Sequence, residues 1–137
     1  MTLIKTSEVT RKLKKVLHDN KPIFIQIKEI IEDQIINDQL TDHDQIPSTN
    51  QLVQFYKVNH ITVSKGINLL VEDEIIYKKR GVGMFVMEGA KEQLLNQRRN
   101  DFANEFVLPM LKEAKKLALS DAAIIKIMEK LKGSVKE

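Results

Sequence analysis

The chain has 137 residues, 42% of them hydrophobic, and a formal net charge of +3, which fits one small domain with an appendage and permits a polyanionic partner. The absence of cysteine excludes disulfides and thiolate metal ligands and suits the cytoplasm, where we expect the protein to work. Because the longest apolar runs span only a few residues, the sequence predicts neither a membrane-spanning helix nor a secretory signal.

Residues 1–21 form the first predicted segment, an N-terminal extension that contains a short amphipathic helix from Ser7 to Leu17. Ser7 is a suitable helix cap, and Val9 and Leu13 lie on one face of this helix. The other face carries the basic residues between Arg11 and Lys15. We interpret this basic face as solvated, with contact to a partner's phosphates as the alternative.

A second helix is predicted from Pro22 to about Asn37. Proline is favoured in the first turn of a helix, where its missing amide hydrogen is not needed. The helix carries a buried apolar stripe at helical spacing, formed by Ile23, Ile27, Ile30, Ile31 and Ile35. The segment from Leu40 to Pro47 is predicted to be a polar loop.

A short helix and a tight turn follow the loop. Ser48 and Gln51 have the spacing of a capping box, which predicts a helix through about Tyr56. Lys57 and Val58 form the predicted turn.

The next helix is predicted to start after Asn59, which has a side chain suited to a helix cap. One face of this helix is predicted to join the core and consists of Val63, Gly66, Ile67 and Leu70. The opposite face remains for a partner and carries Ile61, Ser64, Lys65 and Asn68.

A β-hairpin with a basic tip is predicted after Glu74. The β-branched and aromatic segments 75–77 and 84–86 form its strands, and Gly81 and Gly83 permit a tight reversal between them. The tip carries Lys78, Lys79 and Arg80. A solvated charge cluster is the ordinary interpretation, but after two short helices we favour contact with DNA phosphates.

Two short helices joined by a tight turn and followed by a basic hairpin are typical of a winged helix-turn-helix, to which we assign residues 22–87. A helix of this kind fits the major groove of duplex DNA, and the hairpin adds backbone contacts. Ile61 lies opposite the core face, so two interpretations stay open. It contacts a thymine methyl group, or it is merely exposed or packed against the neighbouring helix.

Several motifs occur in order at matching spacing, namely Ile46-Pro47-Ser48, Leu52, Val58-Asn59-His60-Ile61-Thr62-Val63, Leu70 and Gly81-Val82-Gly83-Met84-Phe85-Val86. Together they resemble the GntR family of transcription regulators. The resemblance implies a winged helix-turn-helix that binds an operator as a dimer and usually represses. It implies DNA contacts from Ser48, His60, Thr62, Lys65 and Gly83. The short helical tail resembles the YtrA subfamily, whose members lack a large effector-binding domain.

The chain departs from the family pattern at Asn50 and His60, where arginine is common, and at Lys57, where glycine is common. We therefore expect an operator that differs from typical family sites. The full set of candidate DNA-contacting residues is Ser48, Thr49, Asn59, His60, Ile61, Thr62, Ser64, Lys65, Lys78, Lys79, Arg80 and Gly83.

Residues 88–137 are predicted to form a helical dimerisation region. Pro109 is expected to kink or break the first of its helices. Ser120 caps the last helix and Gly133 ends it. Dimerisation is assigned to apolar residues at near-helical spacing, namely Leu94, Leu95, Phe102, Phe106, Met110, Leu111, Ile124 and Met128.

No catalytic, metal or cofactor site is predicted. Asp42, His43 and Asp44 are adjacent in a loop and have no evident further ligands. The histidines do not combine with a serine or a carboxylate into a recognisable catalytic arrangement. The sequence therefore favours a binding protein over an enzyme.

The leading hypothesis is a mainly α protein with a small β-hairpin, acting as a cytoplasmic, homodimeric repressor that binds an inverted-repeat operator in double-stranded DNA. One alternative is a protein-interaction adaptor that uses the winged helix as a scaffold and binds DNA weakly or not at all. The other is a sensor that holds an unidentified small-molecule effector in its helical tail.

Overall fold

The computed structural model describes residues 16–135. The helix predicted from Ser7 to Leu17, with its basic face, therefore lies almost wholly outside the described residues. The described part of the chain divides into two compact units, residues 16–96 and residues 97–135. The structure confirms a mainly helical fold with one small antiparallel hairpin.

The first unit holds three helices, the hairpin and the beginning of a fourth helix. In chain order its elements are α1 (Ile23–Ile36), α2 (Thr49–Tyr56), α3 (His60–Glu72), β1 (Ile76–Lys79), β2 (Gly83–Val86) and the first turns of α4 (Ala90–Phe102). The bounds of α1, α2 and α3 follow the predicted ones closely.

The core of the first unit forms where α1 and α3 pack together. The predicted stripe of α1 and the predicted inner face of α3 are buried, including Ile27, Ile30, Ile31, Ile35, Val63, Ile67 and Leu70. Gly66 allows close contact between the helices, because a Cβ atom there would lie 2.5 Å from the carbonyl oxygen of Phe24. This packing fixes α3 with its opposite face outward.

The segment 43–46, predicted as part of a polar loop, also pairs with β2. The amides of His43 and Ile46 donate hydrogen bonds of 2.8 and 2.9 Å to carbonyl groups of β2, and the amide of Val86 donates one back to this segment. The segment is a loop as predicted, apart from one β-bridge between Gln45 and Phe85. The pairing itself was not predicted, because it depends on a strand about forty residues later, which local composition does not reveal. Residues 43–46 thus pair with the edge of β2 that faces away from β1.

The beginning of α4 packs on the first unit. Ala90 and Leu94 are 0% and 1% exposed and join the core, so the unit extends to Asn96 rather than ending at Met87. The assignment of Leu94 to dimerisation is therefore wrong for this structure, since a helical pattern does not say which surface covers an apolar residue. The Nζ atom of Lys91 also lies 2.8 Å from a carboxylate oxygen of Asp38.

The second unit contains the end of α4, a π-helical stretch (Ala103–Val107), α5 (Leu108–Lys116) and α6 (Asp121–Lys132). The chain stays helical past Pro109, and the expected kink or break takes the form of a π-helical interruption of the α-helix directly before it. Proline cannot donate to the carbonyl of Glu105, and the wider π turn directly before it accommodates this loss. The cap at Ser120 and the end at Gly133 are as predicted.

Most of the tail's apolar residues are exposed in the single chain, and two of the described ones are buried. Ala114 and Ile124 are 5% and 9% exposed. Ile124 was assigned to dimerisation, but its side chain is already buried in the single chain. The remaining members of the predicted set are exposed or half-buried.

Candidate nucleic-acid interface

The corner between α2 and α3 is built from local hydrogen bonds that the sequence predicts. Ser48 and Gln51 form the complete capping box at the start of α2. Lys57 ends α2 in a left-handed conformation with φ of 57°, a geometry that favours glycine but that lysine adopts here. Asn59 then accepts a 2.8 Å hydrogen bond from the amide of Thr62. These bonds fix where α3 begins and how its first turn is presented.

The outer face of α3 is accessible, as predicted. We define it as the exposed or half-buried residues opposite the core, His60, Ile61, Ser64, Lys65 and Asn68. Ile61 is 80% exposed, which excludes the interpretation that it packs against the neighbouring helix. Asn68 belongs to the same face although the predicted contact set omitted it.

Three polar side chains of the outer face already have partners within the chain. The Nδ1 atom of His60 lies 3.4 Å from the hydroxyl of Ser64, one turn along the helix. The Nζ atom of Lys65 lies 4.1 Å from the centre of the Phe24 ring, a cation–π contact with the beginning of α1. Lys65 is therefore directed toward α1. No sequence pattern indicates this contact, because Phe24 and Lys65 belong to different elements.

The hairpin separates its basic residues. Side chains alternate along a strand, so Lys78 and Lys79 leave opposite faces of β1. Lys78 faces Met84 across the hairpin, whereas the Nζ atom of Lys79 lies 4.9 Å from the centre of the Phe85 ring on the other face. Arg80 lies in the turn and is exposed. The three cations, predicted as one tip, therefore do not share one surface.

Gly83 has a structural role that the resemblance did not indicate. Its φ of 144° is rare for residues with a side chain, and a Cβ atom there would lie 2.5 Å from the Nε2 atom of Gln45. That same nitrogen donates a 3.1 Å hydrogen bond to the carbonyl of Val82. The glycine thus lets Gln45 hold the turn of the hairpin in place.

The Asp42-His43-Asp44 triplet makes structural contacts. A carboxylate oxygen of Asp44 accepts a 2.8 Å hydrogen bond from the amide of Thr41, and His43 bonds to the Tyr77 hydroxyl at 2.8 Å. Within residues 16–135, no cluster of three or more potential ligands has a geometry that suits a metal ion. Over the same residues, no helix combines the length and apolarity needed to cross a bilayer.

Taken together, the first unit presents a capped helix with an accessible polar face beside a hairpin with exposed cations. A protruding helix of this size fits the major groove of duplex DNA, while flanking cations suit its phosphates. The structure places His60, Ile61, Ser64 and Lys65 on this face. Ser48, Thr49, Asn59 and Thr62 lie at the two helix starts, where the side chains of Ser48 and Asn59 act as caps.

Comparison with known proteins gives a consistent result. Residues 25–86 match the family model described as bacterial regulatory proteins, gntR family. The chain is similar to a GntR family transcriptional regulator from Listeria monocytogenes, at 30% identity and a TM-score of 0.68 over 83% of this chain and 98% of that one. It is also similar to AraR(DBD) solved in complex with operator ORX1, at 31% identity and a TM-score of 0.50 over 53% of this chain and 94% of that one.

Among curated proteins, the HTH-type transcriptional repressor NagR of Bacillus subtilis is 31% identical over 74 residues, which is 54% of this chain and 30% of NagR. The chain spans between 27% and 30% of the length of the first curated relatives that it matches.

Proposed function

We propose that this chain, which belongs to the gntR family of bacterial regulatory proteins, binds a specific operator in duplex DNA and represses transcription. The observation that carries the proposal is the accessible outer face of α3 beside the cations of the hairpin. Its relative NagR is named a repressor, and AraR(DBD) was solved on an operator. Binding and release, without catalysis, are sufficient for this function.

In the proposed complex the first turns of α3 lie in the major groove. His60, Ile61 and Ser64 face the DNA, and Lys65 lies at the edge of this surface beside α1. Ser48, Thr49, Asn59 and Thr62 approach the backbone from the two helix starts, where backbone amides favour phosphate. Lys78 and Arg80 contact phosphates from the hairpin. Lys79 contributes less, because its ammonium group lies over Phe85 on the opposite face. Gly83 acts through the shape of the turn.

A homodimer supported by the second unit completes the proposal. Phe102 and Phe106 are 56% and 64% exposed, with ring centres 5.7 Å apart. Further exposed apolar side chains of this unit are Leu108, Met110, Leu111, Leu117, Ile125, Ile127, Met128 and Leu131. So many exposed apolar groups on about forty residues exceed what an isolated helical pair normally leaves in water, and a second copy would cover them.

The proposal includes membership of the YtrA subfamily and action in the cytoplasm. The nearly complete coverage of the Listeria monocytogenes regulator supports a regulator with a short helical tail. Occupation of an operator would obstruct RNA polymerase. An effector site in the tail stays a prediction.

A salt series tests the proposal against the adaptor hypothesis. The affinity of the full chain for duplexes selected from a random-sequence pool should fall steeply with salt, because bound cations displace counterions from phosphates. Lys78→Ala and Arg80→Ala should weaken binding to all sequences similarly. Each should also reduce the slope of log affinity against log salt concentration by about 0.9 for each phosphate that the variant no longer binds. The matched control is Lys79→Ala, which should change the affinity and its salt dependence less. An affinity that does not change with salt would favour the adaptor.

Substitutions on α3 should act differently from those on the hairpin. His60→Ala should change the preference among duplexes, because its ring lies on the face that meets base edges. If His60→Ala weakened binding to all duplexes equally while Lys78→Ala changed the preference among them, the assigned roles of α3 and the hairpin would be wrong.

A further inference from the structure

The outer face of α3 carries one large apolar residue that is almost fully exposed. Ile61 lies in the first turn and is 80% exposed, whereas the other exposed large apolar residues from α1 to α3, Phe55 and Val71, are 38% and 36% exposed. The core face of α3 lies on the opposite side of the helix. Ile61 therefore contributes nothing to the packing of its own unit.

The polar neighbours of Ile61 already form contacts with other residues of the chain. The ring of His60 bonds along the helix to Ser64 at 3.4 Å, and the ammonium group of Lys65 lies over Phe24 at 4.1 Å. The first contact runs along the helix, and the second draws Lys65 toward α1. The branched side chain of Ile61 takes part in neither contact and is exposed to a surface that approaches the outer face.

The major groove offers one apolar group on its base edges, the 5-methyl group of thymine. A polar base edge facing Ile61 would lose water without forming a hydrogen bond in exchange, which is unfavourable. We propose that Ile61 is a specificity-determining residue that contacts the 5-methyl group of one thymine in each half of the operator. This inference rests on the proposed function and names the base that α3 selects.

Replacing thymine by deoxyuridine tests this contact, since it removes only the methyl group and keeps base pairing. Duplexes recovered by selection with the full chain carry the replacement at each thymine in turn. At one thymine per half-site the replacement should weaken binding by roughly four-fold for each methyl group removed. Ile61→Ala should bind the unmodified duplex more weakly and should lose this sensitivity to the methyl group at that thymine.

Two variants serve as controls. Ile61→Val keeps a branched side chain and should keep part of the sensitivity. Val71→Ala changes a β-branched residue near the other end of α3 that is 36% exposed, and it should leave the sensitivity unchanged.

The outcomes separate this inference from the proposed function. If the chain binds selected duplexes but no deoxyuridine replacement changes affinity, or if Ile61→Ala keeps the full penalty, the inference is overturned and the function stands. If the chain enriches no duplex from the pool, both are overturned.

Discussion

At the scale of single residues, the two tyrosines have opposite hydroxyl environments. The hydroxyl of Tyr77 bonds to Nδ1 of His43 at 2.8 Å. The hydroxyl oxygen of Tyr56 is buried, and none of the described residues forms a hydrogen bond with it. Burial raises the pKa of Tyr56 to about 12 from 10.0. A buried hydroxyl without a partner opposes folding, whereas a bonded one supports it.

We predict that Tyr56→Phe leaves the free energy of unfolding at pH 7 unchanged or raises it by about 1 kcal/mol, while Tyr77→Phe lowers it by about 1 kcal/mol. Denaturant unfolding of both variants at one protein concentration measures the difference. A marked loss of stability in Tyr56→Phe would show that its hydroxyl has a partner.

The raised pKa of Tyr56 also gives a dependence on pH. A folded-state pKa above the unfolded value means that stability is fully present below pH 10 and decreases as the pH rises toward 12. Other groups titrate in the same range, so the informative quantity is the difference between proteins. We predict that Tyr56→Phe becomes more stable relative to wild type between pH 10 and 12, as measured by unfolding at each pH. A difference that stays constant would contradict the burial of this hydroxyl.

At the scale of elements, the contact between α1 and α3 determines which face of α3 is presented. We predict that Gly66→Ala lowers the free energy of unfolding by about 2 kcal/mol, although alanine favours a helix over glycine by about 1 kcal/mol. The added Cβ atom would lie 2.5 Å from the carbonyl oxygen of Phe24 and 3.2 Å from Cβ of Ile27. Thermal unfolding provides the measurement.

The control for this prediction is Gly133→Ala at the end of α6. Among residues 16–135, no atom outside the immediate chain neighbours and its own helix backbone lies within 4 Å of a Cβ atom built at Gly133, so its substitution should be neutral or slightly stabilising. A Gly66→Ala protein as stable as wild type would show that α1 and α3 can separate at little cost.

The elements also show what the sequence could predict. The caps at Ser48, Asn59 and Ser120 are confirmed because each depends on a residue only three positions away. The inner face of α3 is confirmed because helical periodicity is local. The pairing of residues 43–46 with β2 and the burial of Leu94 depend on contacts between distant segments, and local patterns contain no information about them.

The same distinction holds for the candidate site. Sequence placed Ile61, Ser64 and Lys65 on one exposed face, since that follows from the helix alone. It did not reveal that Phe24 draws Lys65 aside. Nor did it separate Lys78 from Lys79, because the exact register of the hairpin decides which cation lies over Phe85.

At the scale of the whole molecule, dimerisation through the tail is the proposed step that a single substitution can test. Phe106 is 64% exposed in the single chain, so Phe106→Asp should leave monomer folding intact. In a dimer that covers this position, the same substitution buries an unpaired charge. We predict that the dimer dissociation constant, measured by sedimentation equilibrium, is at least roughly ten-fold higher for Phe106→Asp than for wild type. A ten-fold change corresponds to about 1.4 kcal/mol.

Asn104→Asp is the matched control, because it adds the same charge at an exposed position of the same π-helical stretch. It should leave the dimer nearly unchanged. Equal weakening by both variants would indicate a general effect of charge, and no weakening by Phe106→Asp would place the dimer interface elsewhere. Any truncation that removes the tail has to keep Ala90 and Leu94, since both belong to the core of the first unit.

The most direct test of operator binding by a dimer is a hydroxyl-radical footprint of the full chain on a duplex recovered by selection from a random-sequence pool. We predict two protected patches related by twofold symmetry, with centres about one helical turn or a whole number of turns apart, because each outer face of α3 occupies one major groove. Lys78→Ala and Arg80→Ala should weaken protection at the outer edges of both patches. A single asymmetric patch, or no protection at concentrations where the chain is folded, would contradict this mode of binding.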